Sequence, residues 1–360
     1  MIQLKSKNDT ILFMLNKRQK AILELIEQRT SVTARQILDA MSAHFERTSK
    51  PTIIRDIGVL LKLNLIEKRG HARSVVYVSL AGSPLLKYID AQRYFLESQD
   101  ERDAHERFQW EVFENARKLF TNNELHKLRS LNERYLKNKA KLDPGTLKKE
   151  LERITIELSW KSSQLEGNTY SLIDTEILIK EAREAAGHTK EEATMILNHK
   201  QALDFIFTNA GTFKKLTLPG IRSVHSLLVK NLGIPDDFRK SIVGITGTNY
   251  KPLDNQFQIK EALESAVAVI NKEIEPVVKA LLSLAFISYI QPFVDGNKRT
   301  SRLSANAVLL SHDWCPMSLR SMDAAEYKKA ILLFYEQNNI RYLKELFMQQ
   351  FEFAVNNYFG

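Results

Sequence analysis

The stretch SYIQPFVDGNKRTSRLSAN, residues 288–306, decides how this chain is read. It follows an apolar run that predicts a long helix over 277–290, broken by Pro292, and it gathers Asp295, Gly296, Asn297, Lys298, Arg299 and Arg302 into eight positions. Gly and Asn predict a tight loop. From about Lys298 a new helix is expected, whose first backbone N–H groups have no intrahelical acceptor and so attract an anion. Arg299 and Arg302 are three apart on one helical face, and each can grip a phosphate through two N–H groups. Asp295 offers an oxygen ligand to Mg2+ held against phosphates. At the head of the loop stands Gln291, whose amide can hydrogen-bond a hydroxyl but does not take its proton at neutral pH. An Asp-Gly-Asn turn before a basic helix also occurs in proteins that bind nothing, so the loop alone leaves its use open.

Upstream, LERITIELSWKSSQLEGNTY predicts a helix over about 151–167 that stops at Gly167 and Asn168. Glu166 falls at its C-terminal end, where the helix dipole disfavours a carboxylate, so a cationic partner is expected, and an arginine in particular. A plain surface glutamate is the other local reading.

These residues carry a resemblance. QPFVDGNKRTSR, residues 291–302, is similar to the signature of the Fic family, H-P-F-x-(D/E)-G-N-(G/K)-R-x-x-R, and SSQLEG, residues 162–167, resembles its inhibitory motif, (S/T)-x-x-x-E-(G/N). Between them FRKSIVGITGTNYKPLDN, residues 238–255, resembles the family's flap, a hairpin that clamps a target segment by strand addition through residues such as Gly244, Ile245, Thr246 and Gly247. The resemblance runs from about 151 to 347. It implies a mainly α fold: an all-helical core with a small β-hairpin flap, occupying 146–360. It also implies transfer of AMP from ATP to a hydroxyl of a target protein. By the same resemblance Asp295 would hold Mg2+, Gly296 and Asn297 would form the anion hole, and Lys298, Arg299 and Arg302 would meet the phosphates. Ser162 and Glu166 would belong to the inhibitory motif, with Glu166 pairing Arg302 and displacing the γ-phosphate.

Two positions depart from the pattern. Lys298 stands where many members have glycine and is similar to the Doc branch, which transfers phosphate, so the transferred group is open. Gln291 stands at the position of the histidine that serves as base, and loss of a general base typically costs about 10²–10⁴-fold. Three readings follow: a transferase of weakened activity, a nucleotide-binding pseudoenzyme acting as a DNA-binding regulator, or an active enzyme whose base was deliberately replaced.

The front of the chain is different in character. Residues 1–80 hold 14 Lys or Arg against 7 Asp or Glu, a surplus of +7 that leaves +2 for the remaining 280 residues. Such asymmetry predicts a polyanion partner, most simply nucleic acid. Helical spacing in KRQKAILELIEQR, SVTARQILDAM and SKPTIIRDIGVLLKLNLI predicts three helices, and IEKRGHARSVVYVSL predicts two strands around a basic turn. This order resembles a winged helix-turn-helix over 1–82, which implies that Lys50, Thr52 and Arg55 face duplex DNA and that Lys68, Arg69 and Arg73 lie in the wing. Residues 83–145, dense in charge with spaced aromatics, are expected to be a helical connector.

With 360 residues and 44% hydrophobic composition the chain can bury a sizeable core. No apolar run approaches the roughly 20 residues that span a bilayer, and MIQLKSKNDTILFML lacks a cleavage site, so no membrane partner and a cytoplasmic location are expected. The single cysteine, Cys315, forms no internal disulfide and is expected to be buried. His and Cys nowhere fall at metal-ligand spacing, and the oligomeric state, a homodimer included, is left open.

Overall fold

The computed structural model describes residues 15–359 apart from 30, 47, 64 and 81, and it leaves out the side chain of Arg73, so the expectations for residues 1–14 and for Arg73 in the wing lie outside the described residues. The chain divides into two compact units, one ending at Tyr94 and one running from Phe95. The connector expected over 83–145 is thus divided, with residues 95–145 belonging to the second unit.

In the first unit, α1 (Lys17–Gln28) and α2 (Ala34–Ser42) each begin with a capping box, from Asn16 with Gln19 and from Thr33 with Gln36. Helix α3 (Lys50–Lys62) carries Pro51 in its first turn, where the missing N–H costs nothing. Strands β1 (Ile66–Arg69) and β2 (Val76–Ser79) pair antiparallel, with Ile66 opposite Ser79. Gly70, at φ 81°, opens the turn between them, and a Cβ there would lie 2.4 Å from the Ser74 carbonyl oxygen. Ile22, Ile26, Val32, Ile37, Ile53, Ile57, Leu60 and Ile66 form the core. A buried Asp56 accepts from Arg18 Nε at 2.6 Å and from Gln19 Nε2 at 2.9 Å, which fixes α1 against α3. A short helix, α4 (Ala91–Tyr94), closes the unit.

The second unit is helical: α5 (Glu111–Asn115), α6 (Asn122–Lys139), α7 (Pro144–Gln164), α8 (Leu172–Glu181), α9 (Lys190–Thr208), α10 (Leu218–Val229), α11 (Gln256–Lys272), α12 (Pro276–Ile290), α13 (Asn297–Ser311), α14 (Ala324–Gln337) and α15 (Arg341–Asn357). Helix α12 has no polar face, since every residue from 280 to 290 is buried, and it runs through the centre against α11, α13, α14 and α15. Helix α13 packs on α12 and meets α7, α9 and α10 on its other sides. These contacts bring the end of α7, which bears the Glu166 motif, to the start of α13.

The mainly helical fold class stands, but the flap differs from the expected hairpin: no β-ladder forms between residues 238 and 255. The single bridge there is parallel and joins Lys251 to Arg107. The cause is local. Carbonyls of Ser241 and Leu253, which sit where the stems of a hairpin would face each other, instead accept from the guanidinium of Arg239.

Cys315 is buried, and burial pushes its thiol up. Among the described residues no helix is long and apolar enough to cross a membrane, and no group of three His, Cys, Asp or Glu could hold a metal ion.

The centre of the second unit gives a stability prediction. Phe286 is fully buried and meets Phe113 edge-on at a centroid distance of 5.1 Å. Phe286→Ala is expected to cost about 3–5 kcal/mol, seen as a lower midpoint in denaturant unfolding.

Candidate functional site

The site is built on the bend between α12 and α13. Gln291 ends α12 in the left-handed region, at φ 51° and ψ 58°, and so turns the chain out of the helix. Its amide nitrogen donates to Ser288 O at 2.6 Å and to Tyr335 Oη at 3.1 Å, and its carbonyl accepts from Arg239 Nε at 2.6 Å. The side chain is therefore pinned beneath the loop. Tyr335 is fully buried, and burial pushes its hydroxyl up.

The loop from 292 to 296 is closed by side chains that reach across it. Asn297 Oδ1 accepts from Phe293 N and its Nδ2 donates to Phe293 O, both at 2.8 Å. Phe293 stacks on His225 with centroids 3.6 Å apart and rings inclined by 3°. His225 Nε2 lies 2.9 Å from Asp295 O. Burial pushes His225 down to about 4, so at neutral pH the ring is uncharged and Nε2–H donates to that carbonyl. Gly296 adopts φ 79°, and a Cβ on it would stand 3.3 Å from Val229 and 3.4 Å from His225. Asn297 thus commits its amide to holding the loop. No side chain caps the start of α13, which leaves the first N–H groups of that helix to face an anion.

Charge converges on this helix end. Arg299 is 1% exposed; its Nη2 meets Asp295 Oδ2 at 3.0 Å, while its Nε and Nη1 are buried with no hydrogen-bond partner among the described residues. Arg302 is equally buried, donating from Nε to Ser162 Oγ and from Nη2 to Ser162 O, both at 2.8 Å. Its Nη1 meets Glu166 Oε1 at 2.8 Å, and Lys298 Nζ meets Glu166 Oε2 at 2.7 Å. Burial alone would raise the Glu166 carboxyl, but Arg302 and Lys298 outweigh it and hold the group below its ordinary value. The expected pair between Glu166 and an arginine is present, with Lys298 as a second cation. Asp295 is the exposed member, with its side chain 64% accessible.

Several residues that frame the site carry no signal in the sequence around them. Arg239, 2% exposed, donates to the carbonyls of Gln291, Ser241 and Leu253 and so joins the 238–255 segment to the bend. His199 on α9 is fully buried with neither ring nitrogen partnered; burial, then the charges of Arg302 and Arg299, keep it neutral well below its ordinary range. Of the expected flap residues, Gly244 and Thr246 are exposed and Ile245 and Gly247 half-buried, and Ile242 is 75% exposed. In the first unit Lys50, Arg55, Lys68 and Arg69 are exposed and Thr52 is half-buried. Arg69 pairs with Glu67, and Thr52 Oγ1 lies 2.9 Å from Ser49 Oγ.

Residues 215–309 match the Fic/DOC family model. The chain is 25% identical over 171 residues to Protein adenylyltransferase fic-1 of Caenorhabditis elegans, and 28% identical over 176 residues to Protein adenylyltransferase Fic of Drosophila mojavensis. These matches cover 45% and 47% of this chain but 33% and 34% of the relatives, so it spans about a third of their length. Among solved structures it is similar to Fic-1 from C. elegans, with a TM-score of 0.58 at 16% identity over 96% of this chain and 99% of that one. A Fic domain containing signaling protein from Bacteroides thetaiotaomicron gives 0.53 at 23% identity over 65% and 96%. At these identities the structural likeness is one of fold. The match places a Fic/DOC family domain over residues 215–309, which contain the loop closed by Asn297 and the start of α13.

Proposed function

We propose that the protein is a self-inhibited, nucleotide-binding Fic-domain protein that holds ATP at the start of α13 and transfers AMP to a protein hydroxyl only weakly. The observation that carries this reading is the cationic cluster: Lys298 and Arg302 share the single carboxylate of Glu166, beside an Arg299 with two buried donors still unpartnered. A polyphosphate supplies the acceptor oxygens that such donors need. The relatives named as protein adenylyltransferases suggest the class of reaction.

In this reading the free N–H groups of α13 and the guanidinium of Arg299 bind phosphate, and Arg302 receives the terminal phosphate when Glu166 leaves. The exposed carboxylate of Asp295 could hold Mg2+, which would take further ligands from phosphate and water and would neutralise phosphate charge. The segment 242–246 offers an exposed backbone edge to an extended target peptide. Gln291 can orient a target hydroxyl but leaves its proton in place, so the step that needs a base is slow. Lys298 bears on the orientation of the nucleotide, and with it on whether AMP or phosphate moves.

The first unit supports a second role, as a winged helix-turn-helix that binds duplex DNA: Lys50 and Arg55 are exposed on α3, and Lys68 and Arg69 on the hairpin. A pseudoenzyme that reports nucleotide to a DNA-bound regulator would combine both.

Three outcomes follow. Glu166→Gly is expected to tighten binding of ATP with Mg2+ by roughly tenfold or more, about 1.4 kcal/mol, measured by calorimetry. A carboxyl held below its ordinary value keeps its charge above that value and loses it only as pH falls through the lowered one. The ratio of affinities between variant and parent should therefore stay constant from pH 8 to pH 5.5, and taking a ratio cancels the titration of ATP itself.

Combining Gln291→His with Glu166→Gly restores an imidazole and frees Arg302. Covalent label from ATP should then appear on the protein or on a bait in lysate, with less from Gln291→His alone. Separate label at the α and γ positions identifies AMP or phosphate as the group moved. Intact nucleotide binding without transfer of either label would select the pseudoenzyme reading.

The full chain should bind duplex DNA with an affinity that falls steeply as salt rises. Replacing Lys68 and Arg69 by Ala should flatten the slope of log K against log salt by about 0.9 for each phosphate that the variant no longer neutralises. Salt-insensitive binding would instead point to a protein partner for this unit.

A further inference from the structure

The segment 99–107, at the start of the second unit, lies along the 247–251 half of the flap and is bonded to it at three points. Arg102 Nη2 donates to Gly247 O at 2.6 Å, and its guanidinium is held by Glu336 of α14 at 2.8 and 2.9 Å. Asn249 exchanges hydrogen bonds with the strip: Gln99 Nε2 donates to Asn249 Oδ1 at 2.7 Å, and Asn249 Nδ2 donates to Asp100 Oδ1 at 3.1 Å. Lys251 N donates to Glu106 O at 2.8 Å, within the parallel bridge between Lys251 and Arg107. The strip is itself anchored to the core, because His105 N donates to Glu336 O at 2.8 Å and Gln109 N to Tyr289 Oη at 2.9 Å.

The flap is therefore fixed at two places by buried arginines. Arg239 holds both its stems through Ser241 and Leu253, and Arg102 holds the far side of its tip through Gly247. Residues 242–246 lie between these fixed points, with positions 242, 244 and 246 exposed and 243 and 245 half-buried, the alternation of an extended edge. Arg102 is well suited to this anchoring, because its side chain is 7% exposed opposite a fully buried Glu336 and its planar fork meets a carboxylate and a carbonyl at once.

We propose that residues 99–107 form an intramolecular strap that stands in for the missing hairpin ladder, with Arg102 as the positioning residue that keeps the 242–246 edge in place for a target segment. The proposal rests on the reading of 242–246 as the target edge. The strap occupies the 247–251 side, so an incoming peptide is directed to 242–246, and the flap acquires a fixed geometry without cross-strand pairs of its own. Arg102 touches no reacting atom; it acts through Gly247.

The test compares the full chain with Arg102→Met and with Arg102→Lys, the latter retaining the charge opposite Glu336 while losing the fork, so that the fold is preserved if the former fails. Hydrogen exchange of backbone amides is read by mass spectrometry, and ATP with Mg2+ is titrated by calorimetry. The strap predicts exchange at least tenfold faster at the amides of Tyr250 and Lys251, which donate to Thr248 Oγ1 and Glu106 O, unchanged exchange in α12 and α13, and nucleotide affinity within twofold of the parent. In the Glu166→Gly, Gln291→His background, Arg102→Lys should also lower transfer of α-label at saturating ATP by fivefold or more. Unchanged exchange at the amides of Tyr250 and Lys251 in a folded variant overturns the strap, as does faster exchange spread through α12 and α13. Faster local exchange with undiminished label transfer overturns Arg102 as a positioning residue. If that background binds ATP but transfers no label even with Arg102 present, the transferase reading has failed, and the exchange data still decide whether the strap holds the flap.

Discussion

Two guanidinium groups buried beside each other set the terms for the rest of this unit. Arg299 and Arg302 are each 1% exposed, one turn apart on α13, and like charges at that spacing repel more strongly as water is removed. Such a pair persists only if negative charge or oriented dipoles stand against it. Ser162 gives Arg302 a hydroxyl and a carbonyl, Asp295 gives Arg299 one carboxylate oxygen, and Glu166 supplies the remaining charge to Arg302 and Lys298. Breaking a buried pair by removing one member commonly costs about 3–5 kcal/mol, because a charge is left uncompensated. Glu166 is thus the group that ties the end of α7 to the start of α13.

Placing that cluster requires an architecture in which α12 and α13 meet at a fixed bend. The burial of α12 on every side makes it the axis on which α11, α13, α14 and α15 pack, and the left-handed conformation at Gln291 stops it abruptly. A non-glycine residue in that region carries a conformational cost, and here Arg239 and Tyr335 hold it in place. Position 291 thus has a structural role, which its amide performs through two donated hydrogen bonds.

The sequence was most legible where chemistry is written in consecutive residues. The run from Gln291 to Arg302 announced a loop, a helix start and two convergent arginines, and the position of Glu166 at a helix end called for a cation. The basic front of the chain showed its three helices and two strands through spacing and caps. Illegible were contacts between distant segments of unlike character: Arg239 lies 52 positions from Gln291, and Arg102 lies 234 from Glu336. Nothing around either arginine distinguishes it from a solvated one, since burial is conferred by parts of the chain far away. The flap misled for a related reason. The resemblance implied a hairpin with cross-strand pairing, but competing partners on Arg239 and on the 99–107 segment decide where its carbonyls and N–H groups go.

The exchange of two hydrogen bonds between Asn297 and the backbone of Phe293 has a wider implication. It closes the loop from within, while His225 meets Asp295 O and Arg239 holds the backbone carbonyl of Gln291, so the shape of the loop is set by the protein's own groups. A loop braced in this way can change the side chains beside it without first losing its shape.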